Sequence, residues 1–291
     1  MNSSTLLQQG PRWVAPDPAS RQPAPRTARV TLFVALGTIA AVASMFVGNQ
    51  AVLAIAFLFA ISWPLERLWR RHPVPVRRLA LRTDLAYAAA QPPLQFVSIV
   101  VAVVVGGLSL AWLPGLLLRP FIAGLPPLAQ TLGGFFVFDF LIYWTHRWGH
   151  TVPLFWLFHS VHHSTRLLDW VFSAPVIVFF IAAAVDNTVT GGLALVQFLA
   201  GLGAHLNVRF KLRPLWPIVL TPEFHHWHHE VRPEAHRTNY STFLPLWDIM
   251  FGTYRMPKDE RPQHYGIPGP MPDGILQQLA FPMRGARADW R

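Results

Sequence analysis

The stretch LAQTLGGFFVFDFLIYWTHRWGH, residues 128–150, decides the fold: an apolar run interrupted by one Asp leads directly into two histidines spaced four apart. Leu128–Trp144 is about long enough, as a helix rising 1.5 Å per residue, to approach the thickness of a hydrocarbon core. Asp139, Tyr143, His146 and His150 follow a 4-3-4 spacing and share one helical stripe. An acid inside an apolar span is expensive unless it is paired or functional, so Asp139 is read as an acceptor for a ligand imidazole N–H or as a partner of Tyr143. The competing reading is a polar contact between helices.

Working outward, Leu128–Trp144 is expected to be the returning arm of a hairpin whose first arm is Phe96–Trp112 and whose connection is LPGLLLRPFIAGLPP. Val30–Val47 and Ala51–Trp63 form an earlier hairpin around GNQ, the second arm spanning if its helix continues past Pro64. Pro175–His205, broken by DNTVTGG, is expected to be re-entrant or tilted. Residues 1–28 are a Pro- and Arg-rich cytoplasmic tail. The expected organisation is therefore 1–28 tail, 29–83 N-terminal membrane hairpin and basic loop, 84–256 catalytic membrane domain and 257–291 C-terminal tail. The fold class is all-α integral membrane, with helical hairpins and a histidine-rich cap on the cytoplasmic face.

Composition agrees. Hydrophobic residues make up 52% of the 291-residue chain and charged ones 13%, a balance that suits a membrane solvent. The net charge of +10 is interleaved with apolar runs instead of gathered on a polar face, which favours lipid headgroups and membrane orientation over nucleic acid. Arginines before the first hairpin, after it (Arg67, Arg70, Arg71, Arg77, Arg78, Arg82) and after the third (Arg209, Lys211, Arg213) orient those segments to the cytoplasm. Cysteine is absent, which excludes disulfides, thiolate nucleophiles and iron–sulfur clusters.

That leaves histidine as the transition-metal ligand, and most of the thirteen lie between residues 146 and 236. His146 and His150 in HRWGH sit one helical turn apart. In HSVHH, His162 and His163 flank His159 at about 60° and 40° on opposite sides, so one helix can address two neighbouring metals. His225, His228 and His229 repeat the pattern, while His226 falls near the edge of that arc and is read as a supporting or surface residue. His205 arrives at the same depth and is a plausible further ligand. His72 and His264 are read as hydrogen-bonded interfacial side chains. Eight or more imidazoles exceed what one ion takes, so two adjacent ions follow. Imidazole alone does not choose among iron, zinc, copper and nickel. A zinc hydrolase is the alternative enzyme; a metal transporter fits less well because the histidines collect on one face, and a structural protein has no use for them.

The order His-x3-His, His-x2-His-His, a single His before Asn, and a final His-x2-His-His resembles the fatty acid hydroxylase and sterol desaturase superfamily of membrane di-iron enzymes. The likeness runs through HRWGHTVPLFWLFHSVHHST and TPEFHHWHHE…NYSTFLPLWDIMFGTY. It implies that His146, His150, His159, His162, His163, His205, His225, His228 and His229 bind two iron ions. It further implies O2 as cosubstrate and a fatty acyl, sterol-like or other long-chain lipid that is hydroxylated or desaturated, as in lipid biosynthesis. Two electrons per turnover then come from a separate donor, a ferredoxin or b-type cytochrome with its reductase, for which the Arg-rich loops offer a docking surface. The expected location is the bacterial cytoplasmic membrane, or the endoplasmic reticulum in a eukaryote. The chain departs from many relatives in having Ser241 where they have Gly, and VFSAPVIVFF where they carry Arg-x-His-Pro.

Overall fold

A computed structural model describes residues 62–72, 113–168, 200–201, 203–267, 271–272 and 274–284. Every regular element among them is helical: α1 (62–68), α2 (Leu113–Ala123), α3 (Pro127–Thr151), α4 (Pro153–His163), α5 (Pro222–His228), α6 (Leu246–Met250) and α7 (Ile275–Ala280). The only β pairing among the described residues is two isolated antiparallel bridges, Arg70 with Val208 and Glu230 with Tyr265.

Helix α3 is the one described helix long and apolar enough to cross a membrane. It runs unbroken through the first histidine cluster, so the returning arm and HRWGH are one rod. Leu128, Leu132, Phe136, Val137, Phe138 and Leu141 stand exposed along it. The connection expected before it is in part a helix, α2: Pro114 falls in its first turn, where proline is tolerated, the following leucines favour helix, and Pro120 lies inside it. Helical structure also continues past Pro64 into residue 68. The rest of the first hairpin, the Phe96–Trp112 arm, VFSAPVIVFF and all of the third apolar stretch up to residue 199 lie outside the described residues.

Pro153 decides the local architecture. Its ring disfavours helical geometry at the preceding residue, and Val152 is accordingly extended at φ −96°, ψ 119°. Helix α3 ends there, α4 restarts with Pro153 at its first position, and the two helices pack on each other. Gly149 lies at this fold-back: a Cβ there would sit 3.4 Å from His159 Cγ.

Helix α5 starts at TPEF, where the local chemistry favours a helix N-terminus. Thr221 is extended and its hydroxyl accepts from the Phe224 N–H at 3.3 Å, Pro222 occupies the first position, and Glu223 favours the positive helix end. Although only seven residues long, the helix is buried from Glu223 to His228. Phe224 packs with Ala204 and Leu220 in a small apolar core.

Candidate metal centre

Nine imidazoles meet where α3, α4, α5 and the turn at His205 converge. They fall into two groups, His146, His150, His159, His163 and His228 in one, and His162, His205, His225 and His229 in the other, with the candidate ligand atoms of each group within 4.8 Å of one another. These are the nine positions singled out in the sequence. In the five-histidine group, Nε2–Nε2 distances are 3.1 Å for His146–His159, 3.1 Å for His159–His163, 3.0 Å for His163–His228 and 3.1 Å for His150–His228. In the four-histidine group they are 2.9 Å for His205–His225 and 3.1 Å for His225–His229, with the His162 ring 4.7 Å from that of His229. The rings of His163 and His229 stack at 4.2 Å, one from each group, so the two sites share a wall.

The partition follows a rule visible only in three dimensions. On α4 the i, i+4 pair His159/His163 serves the five-histidine group and His162 the other; on α5 and its C-terminal cap the pair His225/His229 serves the four-histidine group and His228 the other. Each helix divides its histidines between the centres, in opposite senses.

Whether a metal suits this arrangement can be tested on tautomers. His146 Nδ1 lies 2.6 Å from the Tyr240 carbonyl and His228 Nδ1 2.9 Å from the Thr238 carbonyl. A carbonyl only accepts, so both rings carry their proton on Nδ1 and present bare Nε2 lone pairs to the same space. Converging lone pairs repel unless a cation lies among them, and a span of 4.8 Å matches two metal–nitrogen bonds of about 2.0–2.1 Å each plus modest slack. The residues therefore fit a metal in each group. Burial adds to this: desolvation, reinforced by neighbouring rings, holds His159, His162, His163, His225, His228 and His229 well below the ordinary imidazole range. His205 is pushed down to about 3, again by burial first, with a Gly201 backbone hydrogen bond acting the other way. Neutral imidazole is the ligating form.

The carbonyls that orient His146 and His228 belong to a loop built by two residues that histidine spacing does not reveal. Asp248, fully buried, accepts from the Tyr240 N–H at 2.8 Å, the Ser241 N–H at 2.7 Å and the Thr253 hydroxyl at 2.6 Å. Asn239 sits at φ +58°, a conformation asparagine tolerates, and its amide donates to the Arg255 carbonyl at 2.8 Å while accepting from the Arg255 N–H at 2.7 Å. The only sequence signal for either was its place in NY…WD. Ser241 does not have a positive φ, so serine in place of glycine leaves this turn unstrained.

The three supporting candidates are placed as follows. Asp139 Oδ2 accepts from the Leu244 N–H at 3.2 Å and the Trp247 indole at 2.8 Å, tying α3 to α6. The buried Tyr143 hydroxyl lies 3.0 Å from Thr253 Oγ1 and accepts from Arg147 at 3.1 Å. His226 is completely buried, its Nδ1 3.0 Å from the Tyr265 hydroxyl. His72 lies 3.3 Å from that same hydroxyl, and His264 Nδ1 lies 3.7 Å from Glu230. Arg71 is not a free basic loop residue: its side chain is 3% exposed and pairs with Glu223 at 3.1 Å.

Residues 131–253 match the family model described as fatty acid hydroxylase. The chain is 33% identical over 170 residues to an ornithine lipid hydroxylase of Rhizobium tropici, covering 54% of this chain and 51% of that protein. It is 32% identical over 148 residues to an alkylglycerol monooxygenase of Xenopus tropicalis, covering 46% and 32% respectively. It is 31% identical over 146 residues to a very-long-chain aldehyde decarbonylase of Oryza sativa subsp. indica, covering 42% and 22%. The chain thus spans about half the length of the first of these relatives and a third or less of the others. No solved structure matches.

Proposed function

We propose that the chain, whose residues 131–253 match the fatty acid hydroxylase model, is a histidine-box member of the fatty acid hydroxylase and sterol desaturase superfamily and a membrane non-haem di-iron oxidoreductase that uses O2 and external electrons to oxidise a long-chain lipid. The observation that carries the reading is the convergence of nine imidazoles into two adjoining groups, with bare Nε2 atoms of His146 and His228 set by backbone carbonyls. In this reading His146, His150, His159, His163 and His228 hold one iron, and His162, His205, His225 and His229 the other. Bound iron supplies dioxygen activation and the oxidising power to attack an unactivated C–H bond. The chain's own part is to keep the imidazoles neutral, oriented and dry.

Hydroxylation is the favoured outcome, because two of the similar proteins are named for lipid hydroxylation and alkylglycerol monooxygenation. Membrane attachment is supported by the exposed apolar flank of α3 and by Phe155 and Phe158 on α4. We place the centre at the cytoplasmic face, served by a separate ferredoxin or b-type cytochrome. The test is metal analysis of the purified full chain together with O2- and reductant-dependent lipid oxidation. Iron in the parent with product formation, both diminished in His159→Ala, is the expected result. Zinc in place of iron, or oxidation undiminished in His159→Ala, overturns it.

A further inference from the structure

We propose that residues 66–72, led by Arg71, are a clasp that positions the four-histidine centre and not the five-histidine one. This rests on the reading above that both groups bind metal. The segment lies outside the 131–253 family match, yet it is fastened to both elements that supply most of the four-histidine group.

One attachment is to the turn bearing His205. Asn207, two residues on and itself buried, donates its N–H to Glu66 at 2.9 Å, accepts from the His72 N–H through Oδ1 at 2.9 Å and donates through Nδ2 to the His72 carbonyl at 2.8 Å. Backbone bonds from Arg71 N–H to the Asn207 carbonyl at 3.1 Å and from Arg209 N–H to the Trp69 carbonyl at 2.8 Å extend the pairing.

The other attachment is to α5. Arg71 donates to Glu223 at 3.1 Å and to the Pro262 carbonyl at 2.6 Å, and lies 3.4 Å from His226 Nδ1. At about 100° per residue, Glu223 lies about 160° and 120° around α5 from His225 and His229, while His226 lies on the flank, about 100° and 60° from them. Arg71 therefore holds α5 through Glu223, which faces away from His225 and His229, and through His226 on the flank beside His229. Tyr265 completes the brace, contacting both His226 and His72.

The five-histidine centre has other supports. His146, His150, His159 and His163 come from the α3–α4 fold-back, and His228 is oriented by the Thr238 carbonyl on the loop that Asp248 holds. Asn239 also donates to the Phe224 carbonyl at 3.2 Å, anchoring α5 independently of Arg71.

The experiment compares the full-length parent, Arg71→Lys and the paired variant Arg71→Met with Glu223→Gln in detergent, reading iron per chain, magnetic coupling between the ions and helical circular dichroism. Pairing the substitutions avoids leaving a buried carboxylate without its strongest partner. His162→Ala and His146→Ala supply reference spectra for a vacant four- and five-histidine centre. The paired variant is expected to keep its helical signal, to lose affinity at one centre by roughly 10- to 100-fold, as substitutions behind metal ligands do, and to give the His162→Ala spectrum; Arg71→Lys is expected to recover part of the loss. Retention of both ions, equal loss from both centres or the His146→Ala spectrum overturns the proposal. If the paired variant loses its helical signal, the same outcomes are read from Arg71→Lys. A parent that binds no metal defeats instead the reading on which the proposal rests.

Discussion

Replacing Asp248 separates the loop that orients His146 and His228 from its anchor, and the size of the effect can be worked out bond by bond. Its carboxylate accepts from two backbone amides, at 2.8 Å from Tyr240 and 2.7 Å from Ser241, and from the Thr253 hydroxyl at 2.6 Å. Asp248→Ala leaves the two buried amides and the half-buried Thr253 hydroxyl without this acceptor. The hydroxyl has a second outlet, since Thr253 Oγ1 lies 3.0 Å from the Tyr143 hydroxyl. The two amides have no second acceptor in this loop, and an unsatisfied buried donor costs about 1–3 kcal/mol. The alanine variant is then destabilised by about 4 kcal/mol and Asp248→Asn, which retains one acceptor oxygen, by about 2 kcal/mol. At roughly 2–4 °C per kcal/mol for a domain of this size, these become drops of about 8–16 °C and 4–8 °C in melting midpoint. The assay is thermal unfolding in detergent at one fixed scan rate, because membrane proteins of this size often unfold irreversibly. Iron content measured alongside should fall in the same order. Midpoints within 2 °C of the parent for both variants, or asparagine more damaging than alanine, would refute the reasoning.

Other substitutions test other links. Gly149→Ala places its Cβ at ordinary contact with His159 and should retain iron, whereas Gly149→Leu should displace that ring and lower iron per chain, read by elemental analysis. Thr221→Ala removes the α5 cap and is expected to lower stability by about 1 kcal/mol, seen as a lower melting midpoint. His72, pushed down to about 4 chiefly by burial and then by Arg71, Arg261 and His264, binds fewer protons folded than unfolded. Its contribution to stability is constant above the unfolded value near 6.5, declines as pH falls below 6.5 and levels off near 4. His72→Gln should therefore lose less melting midpoint than the parent between pH 7 and 5; an equal loss counts against the assignment.

Eight of the nine histidines were legible because their spacing is local: i, i+3 and i, i+4 relations survive in any helix, whereas His205 was read from its place at the end of the third apolar stretch. Their division between two centres was not, since His228 and His229 are adjacent in sequence and part company only when α4 lies across α5. Asp248 entered only as the acid of NY…WD, and its three donors come from residues that spacing alone does not bring to it. Arg71 looked like membrane-orienting charge, and its partner Glu223 is 152 residues away. The segment 113–127 was read as a connection, yet Leu113–Ala123 is helical, with Pro114 in the first turn of α2, where it is tolerated, and Pro120 inside it.

The break at Val152–Pro153 also has a consequence for the order of assembly. It brings four of the five ligands of one centre, His146 to His163, into a single helical fold-back closed by a very short connection. The other centre draws on His162, His205, His225 and His229, and its support reaches back to Glu66 and Arg71. Chain closure grows more unfavourable with the length of chain to be closed, and distant pairings form late. As the polypeptide leaves the ribosome, the first centre can gather most of its ligands before His205 has been synthesised, while the second must wait for α5 to dock against a segment made long before.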